Sequence, residues 1–265
     1  MEAAKYSASS KFATLSLSKS DRIRFLAFPE PICRQAEPVL RRAWPPGIKA
    51  EGLYAGSYEY QLKGRPWGMM GKSEAIGSRV LLRDILAFLY GRGWVLATAI
   101  NLSEKIGSKD TLLFRDAAAG RGTDHPPALP AVDWLVVQFY HSKTIYLHGV
   151  GADGDAAEQQ PMLKAFREML ASTGYLDKGG WSHDAYEFVL QGRPWRCHGE
   201  KSMKARELLL GIMGVLDGHG WEPYGTIRQR TDSDDWRHCD SWYLIRKTGK
   251  GCEGLIGDHT VGEGA

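Results

Sequence analysis

The 265-residue sequence is short of paired cysteines. Its four, Cys33, Cys197, Cys239 and Cys252, include no CxxC spacing. That scatter supplies neither a disulfide framework nor a paired-cysteine zinc pattern, and fits reduced thiols inside a cell. Long apolar runs are missing too: no window reaches the roughly 18 continuous apolar residues of a membrane span. The opening MEAAKYSASSKFATLSLSKS lacks the apolar core of a secretory signal. A cytoplasmic or nuclear location is therefore expected. GxxxxGK[ST], GxSxG and HExxH are also absent, which removes the usual signatures of P-loop nucleotide binding, serine hydrolysis and zinc peptidase chemistry. On this reading there is no catalytic residue, no metal ligand and no cofactor.

What the sequence does have is a duplication. YEYQLKGRPW begins at Tyr58 and YEFVLQGRPW at Tyr186. After Trp67 come Gly71, Arg79, Leu81, Leu82, Ile85, Leu89, Gly91, Gly93 and Trp94; after Trp195 come Gly199, Arg206, Leu208, Leu209, Ile212, Leu216, Gly218, Gly220 and Trp221. Upstream, Ile23 falls opposite Ile145. A match of this length marks a repeated structural unit. The expected organisation is a tail at 1–10, a first module at 11–115, an Ala/Gly/Pro-rich linker at 116–132, a second module at 133–246 and a glycine-rich tail at 247–265.

Within each copy, two short β-rich runs suggest a hairpin and are followed by a helix. Tyr58, Tyr60 and Leu62 alternate with Glu59, Gln61 and Lys63, the period of a strand with one apolar face. Gly64-Arg65-Pro66-Trp67 ends that strand, because proline cannot donate to a central ladder. Leu81, Leu82, Ile85, Leu86 and Leu89 form a helical stripe, and two more strands close the unit. The fold class expected is α+β, as two tandem two-layer modules, each approximately ββαβαββ. Equivalence further predicts that Arg79 and Arg206 share one environment, that Leu82 and Leu209 are both core, and that the tryptophans of the repeat are structural. Arg65 and Arg193 are expected to pair with Glu59 and Glu187.

Two local features bear on chemistry. GVGADGDA at Gly149 lacks the spacing of a dinucleotide loop and carries two aspartates, so it reads as a plain loop. Cys197-His198 replaces Met69-Met70, and a later hairpin carries His238-Cys239. These are good ligand types, but neighbours on an extended chain point opposite ways, so no site is assigned to them.

Charge is distributed unequally. Residues 11–115 hold 17 Lys and Arg against 9 Asp and Glu; residues 133–246 hold 13 against 16. The first module thus offers a basic surface, with Arg34, Arg41, Arg42, Lys63 and Arg65 as its candidate binding residues. The function expected is non-enzymatic recognition of a protein or anionic partner, with segment 11–115 retaining affinity by itself. The alternatives are an enzyme with a site in the cleft between the repeats and a nucleic-acid-binding protein.

Overall fold

A computed structural model describes residues 11–68, 71–103, 108–118, 129–150, 156–229 and 238–248. The expected tail at 1–10, all of the expected tail at 247–265 except Lys247 and Thr248, Met69-Met70, the middle of the linker and residues 151–155 of the Gly149 loop lie outside the described residues.

The first module runs β1 (Phe12–Ser18), β2 (Arg22–Leu26), α1 (Glu30–Ala43), β3 (Ile48–Tyr54), β4 (Ser57–Leu62), α2 (Lys72–Gly91), β5 (Trp94–Ile100) and β6 (Thr111–Asp116). The second runs β7 (Val132–Tyr140), β8 (Thr144–His148), α3 (Ala156–Ser172), β9 (Leu176–Ser182), β10 (Ala185–Leu190), α4 (Glu200–Asp217), β11 (Glu222–Ile227) and β12 (His238–Lys247). Each builds a six-stranded antiparallel sheet in equivalent order, β3-β4-β2-β1-β6-β5 and β9-β10-β8-β7-β12-β11. The α+β class and the duplication stand as expected. Each module has one strand more than ββαβαββ, because β3 and β9 form the outer edges. The Tyr58 and Tyr186 strands lie one place inside those edges.

The repeated words have a structural use. Trp67 N–H donates to Ser20 O at 2.9 Å, and its ring N–H donates to Arg22 O at 3.1 Å. Trp195 N–H makes the matching bond to Ser142 O at 3.2 Å. GRPW therefore pins the end of β4, and of β10, beneath the turn of the first hairpin. Trp67, Trp94 and Trp221 are buried and Trp195 is half-buried. Arg65 and Arg193 are exposed instead of pairing with the glutamates; Glu59 and Glu187 are held by other residues.

Leu15, Leu17, Ile23, Phe25, Tyr60 and Leu62 of the first sheet pack with α1 and with Leu81, Leu82, Ile85 and Leu89 of α2. α2 has a second buried side. Ala75 and Ile76 pack with Tyr140, Tyr146 and Ala185 on the face of the second sheet opposite its own helices. Tyr90 meets Trp134 and Tyr224, with ring centroids 5.9 Å away in both cases. Lys72 Nζ reaches Glu187 at 2.9 Å, and Arg79 Nε donates to Ser241 Oγ at 3.0 Å. The helix is thus held between two sheets.

Among the described residues no sheet covers the outer side of α4, and the expected equivalence fails there. Arg79 is 2% exposed, whereas Arg206 is exposed. Leu81 and Leu82 are both fully buried, but of their equivalents only Leu208 is in the core and Leu209 is half-buried. The framework was copied; the packing outside it was not. We expect Leu82→Ala to cost about 2–5 kcal/mol, as a cavity in a closed core does, and Leu209→Ala distinctly less. Arg79→Ala should destabilise by about 1–3 kcal/mol through stranded buried hydrogen-bond partners, and Arg206→Ala by less than about 0.5 kcal/mol. Urea midpoints of the four variants measure both contrasts.

Candidate functional site

The repeat makes the two outer sheet faces comparable position by position. Leu17 pairs with Ile23 as Phe139 pairs with Ile145, so Ser16, Ser18, Arg22, Arg24 and Leu26 correspond to Gln138, Tyr140, Thr144, Tyr146 and His148. The second face is closed under α2, with Val136, Gln138, Tyr140, Thr144, Tyr146, His148 and Ser241 all buried. On the first face Thr14, Ser16, Ser18, Arg22, Arg24, Thr111 and Leu113 keep partial exposure and Arg115 is exposed. This open face is the candidate binding surface.

Its centre is an ion-paired cluster. β2 lies beside β4, with Arg24 opposite Glu59 and Arg22 opposite Gln61. Arg24 Nε donates to Glu59 Oε2 at 2.6 Å, and Arg22 Nη1 donates to the other carboxylate oxygen. Burial by itself would raise the Glu59 pKa, but the hydrogen bonds from Arg24 and Arg22 outweigh it and hold the carboxyl below its ordinary value. The Arg24 guanidinium also stacks on Tyr54, 4.0 Å from the ring centre. Serine and threonine hydroxyls flank the pair on β1 and β6. Lys63 continues the row of Glu59 and Gln61 at the strand end, where Trp44 Nε1 donates to Lys63 O at 2.8 Å.

The five residues picked from sequence separate into two groups. Arg34 and Arg41 are neutralised along α1 by Glu30 at 2.7 Å and Glu37 at 2.8 Å. Arg42 borders a cleft of about 480 Å³ that also carries Glu74, Asp84 and Asp184. Lys63 and Arg65 are exposed at the end of the open face. Sequence reasoning missed Arg22, Arg24 and Arg115. The alternation in RIRF puts Arg22 and Arg24 on one face, but which strand lies beside them is a long-range fact.

The space between the modules, the place considered for an enzyme cleft, is filled by α2 and a polar network. Gln229 Nε2 donates to Ser78 O at 2.7 Å, Tyr243 OH donates to Gln229 Oε1, and His148 Nε2 shares a hydrogen bond of 2.9 Å with Gln138 Oε1. Burial first, then the nearby charges of Arg79 and Arg83, push the His148 pKa down to about 3. A groove of about 810 Å³ remains at the margin, between Pro29, Pro31, Trp94, Arg92 and Trp134. Cys197 Sγ donates to Pro194 O at 2.9 Å. The side chains of His238 and Cys239 lie outside the described residues, as does Cys252. Among the described residues, no three His, Cys, Asp or Glu are placed to hold a metal ion, and no helix is long and apolar enough to cross a membrane.

One protein-family model matches the chain twice, over residues 11–115 and 133–245. The chain belongs to that domain family. It carries two copies of the family domain, and their limits agree with the two sheets. No curated protein and no solved structure matches the chain.

The buried imidazole gives a test of the interface between the two family domains. Its folded pKa lies below the unfolded value of about 6.5, so the unfolded chain takes up a proton that the folded chain refuses. The stability contributed by neutral His148 is complete above pH 6.5 and is lost progressively as pH falls toward 3. Between pH 6.5 and 5 the unfolding free energy should drop with a slope of up to about 1.4 kcal/mol per pH unit. His148→Leu, which installs the residue found at the equivalent position 26, should flatten that slope.

Proposed function

We propose that this chain is a non-enzymatic recognition protein, and that its first domain binds an anionic partner across the open sheet face and its basic end. One contrast carries the reading: of two equivalent sheet faces, the second is closed by a helix of the same chain and the first is left to solvent with arginine side chains on it. Opposite charge around such a surface accelerates encounter and selects partners by sign. The Arg22–Glu59–Arg24 cluster supplies rigidity more than free charge, since Glu59, together with Asp21 at 3.6 Å from Arg22, offsets the pair. Attraction falls to Lys63, Arg65 and Arg115, all exposed and without an ion pair in the described residues.

The expectation that segment 11–115 would act alone is revised by the packing of α2. Cutting the chain there strips the cover from Ala75, Ile76, Arg79 and Tyr90, so the test belongs to the full chain. With inorganic polyphosphate as probe, binding should be tight at low salt and weaken steeply as salt rises. Lys63→Glu, Arg65→Glu and Arg115→Glu together should reduce affinity at least about tenfold and lower the salt slope by roughly two to three units. Reversing Lys164, Lys178 and Lys201 in the second domain should leave both nearly unchanged. Equal losses from the two sets, or no binding by the parent chain at low salt, would reject the reading.

A further inference from the structure

The outer edges of the two sheets are guarded differently. β9 is screened by its own helix: Arg167 Nη2 donates to Gly179 O at 3.3 Å and to Tyr186 OH at 2.6 Å. Trp181 folds back edge-on against Tyr186, with ring centroids 5.3 Å apart. β3 has no such screen. It pairs with β4 on one side, and no described strand occupies the other. After Ile48 every residue of the strand is exposed, with Leu53 at 83% and Tyr54 at 52%.

Folded proteins usually blunt a free edge with a covering element, a proline, a β-bulge or charged side chains, because unpaired N–H and C=O groups invite another strand. The β3 edge carries Lys49 and Glu51, one charge of each sign two residues apart, and neither has an ion pair among the described residues. A bulge between Ile48 and Ala50 interrupts the edge at its start, but the two charges are of opposite sign and so complement a second copy of the same strand instead of repelling it.

From this edge we infer that β3 is a self-association surface whose occupant is the β3 strand of a second copy of this chain. Two identical strands meeting antiparallel about a two-fold axis form an isologous contact, in which each interaction occurs twice. With Ala50 of both copies on the axis, Lys49 of each copy stands opposite Glu51 of the other, giving two reciprocal ion pairs. The same register carries Leu53 over the Pro46–Gly47 turn of the other copy and takes it from water. The axis is then perpendicular to the sheet, so the two six-stranded sheets join into one of twelve strands and both open, arginine-bearing faces lie on the same side. A partner long enough to touch both would be held by avidity without any new contact. The dimer itself does not depend on what that face binds.

Charge reversal tests the pairing, because it can be undone. Sedimentation equilibrium of the full chain should show a concentration-dependent rise from 29.5 kDa toward twice that mass. Glu51→Lys alone, which sets lysine against lysine, should weaken dimerisation at least about tenfold, as like charges placed directly opposite do. Lys49→Glu alone should do the same, and the double variant Lys49→Glu/Glu51→Lys should restore the parent constant. Leu53→Lys should also shift the chain to monomer. All three positions are solvent-exposed in the single chain, and circular dichroism checks that each variant is folded. A parent chain that stays monomeric at every concentration overturns the inference. So does a dimer indifferent to Leu53→Lys and to either single reversal, which would place its contact elsewhere.

Discussion

Helix α2 has two buried sides, and the arrangement of the whole chain depends on that. A helix between its own sheet and solvent needs one apolar stripe; a helix between two sheets needs a second. In α2, Leu81, Leu82, Ile85 and Leu89 serve the first sheet, while Ala75, Ile76, Arg79 and Tyr90 serve the second. α4 descends from the same pattern but keeps only the inward stripe, with Met203 and Leu210 left 58% and 73% exposed. The contact between α2 and the second sheet joins two different surfaces of the repeated unit. Such head-to-tail contacts can propagate without limit, since each added unit brings a fresh copy of both surfaces. Here the equivalent first sheet presents Ser18, Arg24 and Leu26 where the second has Tyr140, Tyr146 and His148. A desolvated helix cannot be seated on that pair of arginines without a large cost.

Most of the fold was legible because repetition and local period carry it. The alternation in YEYQL, the leucine stripe and the glycines after it specify strand, helix and stop through neighbouring residues alone. β3 and β9 escaped notice for a physical reason. IKAEGLY and LDKGGWS form edge strands exposed on most sides, so they show no apolar alternation, and their glycines read as loop. The second stripe of α2 was hidden as well. It contains a buried arginine that donates to Ser241, a neighbour that only the tertiary fold supplies.

The candidate site was less legible than the fold. Counting charges could not distinguish a neutralised arginine from a free one. Arg34 and Arg41 sit one helical turn beyond Glu30 and Glu37, a spacing visible in the sequence whose ion-pairing consequence was overlooked. Arg22 and Arg24 become part of a surface only through the pairing of β2 with β4, about 37 residues away along the chain. That pairing is set by the return of the chain through α1 and β3, which no local pattern reports.

Joined through α2, the two domains form one structural unit whose second sheet face is interior and whose first is surface. Equilibrium unfolding of the full chain in urea tests this directly, with tryptophan fluorescence and far-ultraviolet circular dichroism recorded on the same samples. A helix shared by two cores should make both melt together, giving a single transition with coincident midpoints for the two signals. Two separated transitions, with a plateau in which one domain is folded and the other is not, would contradict the account.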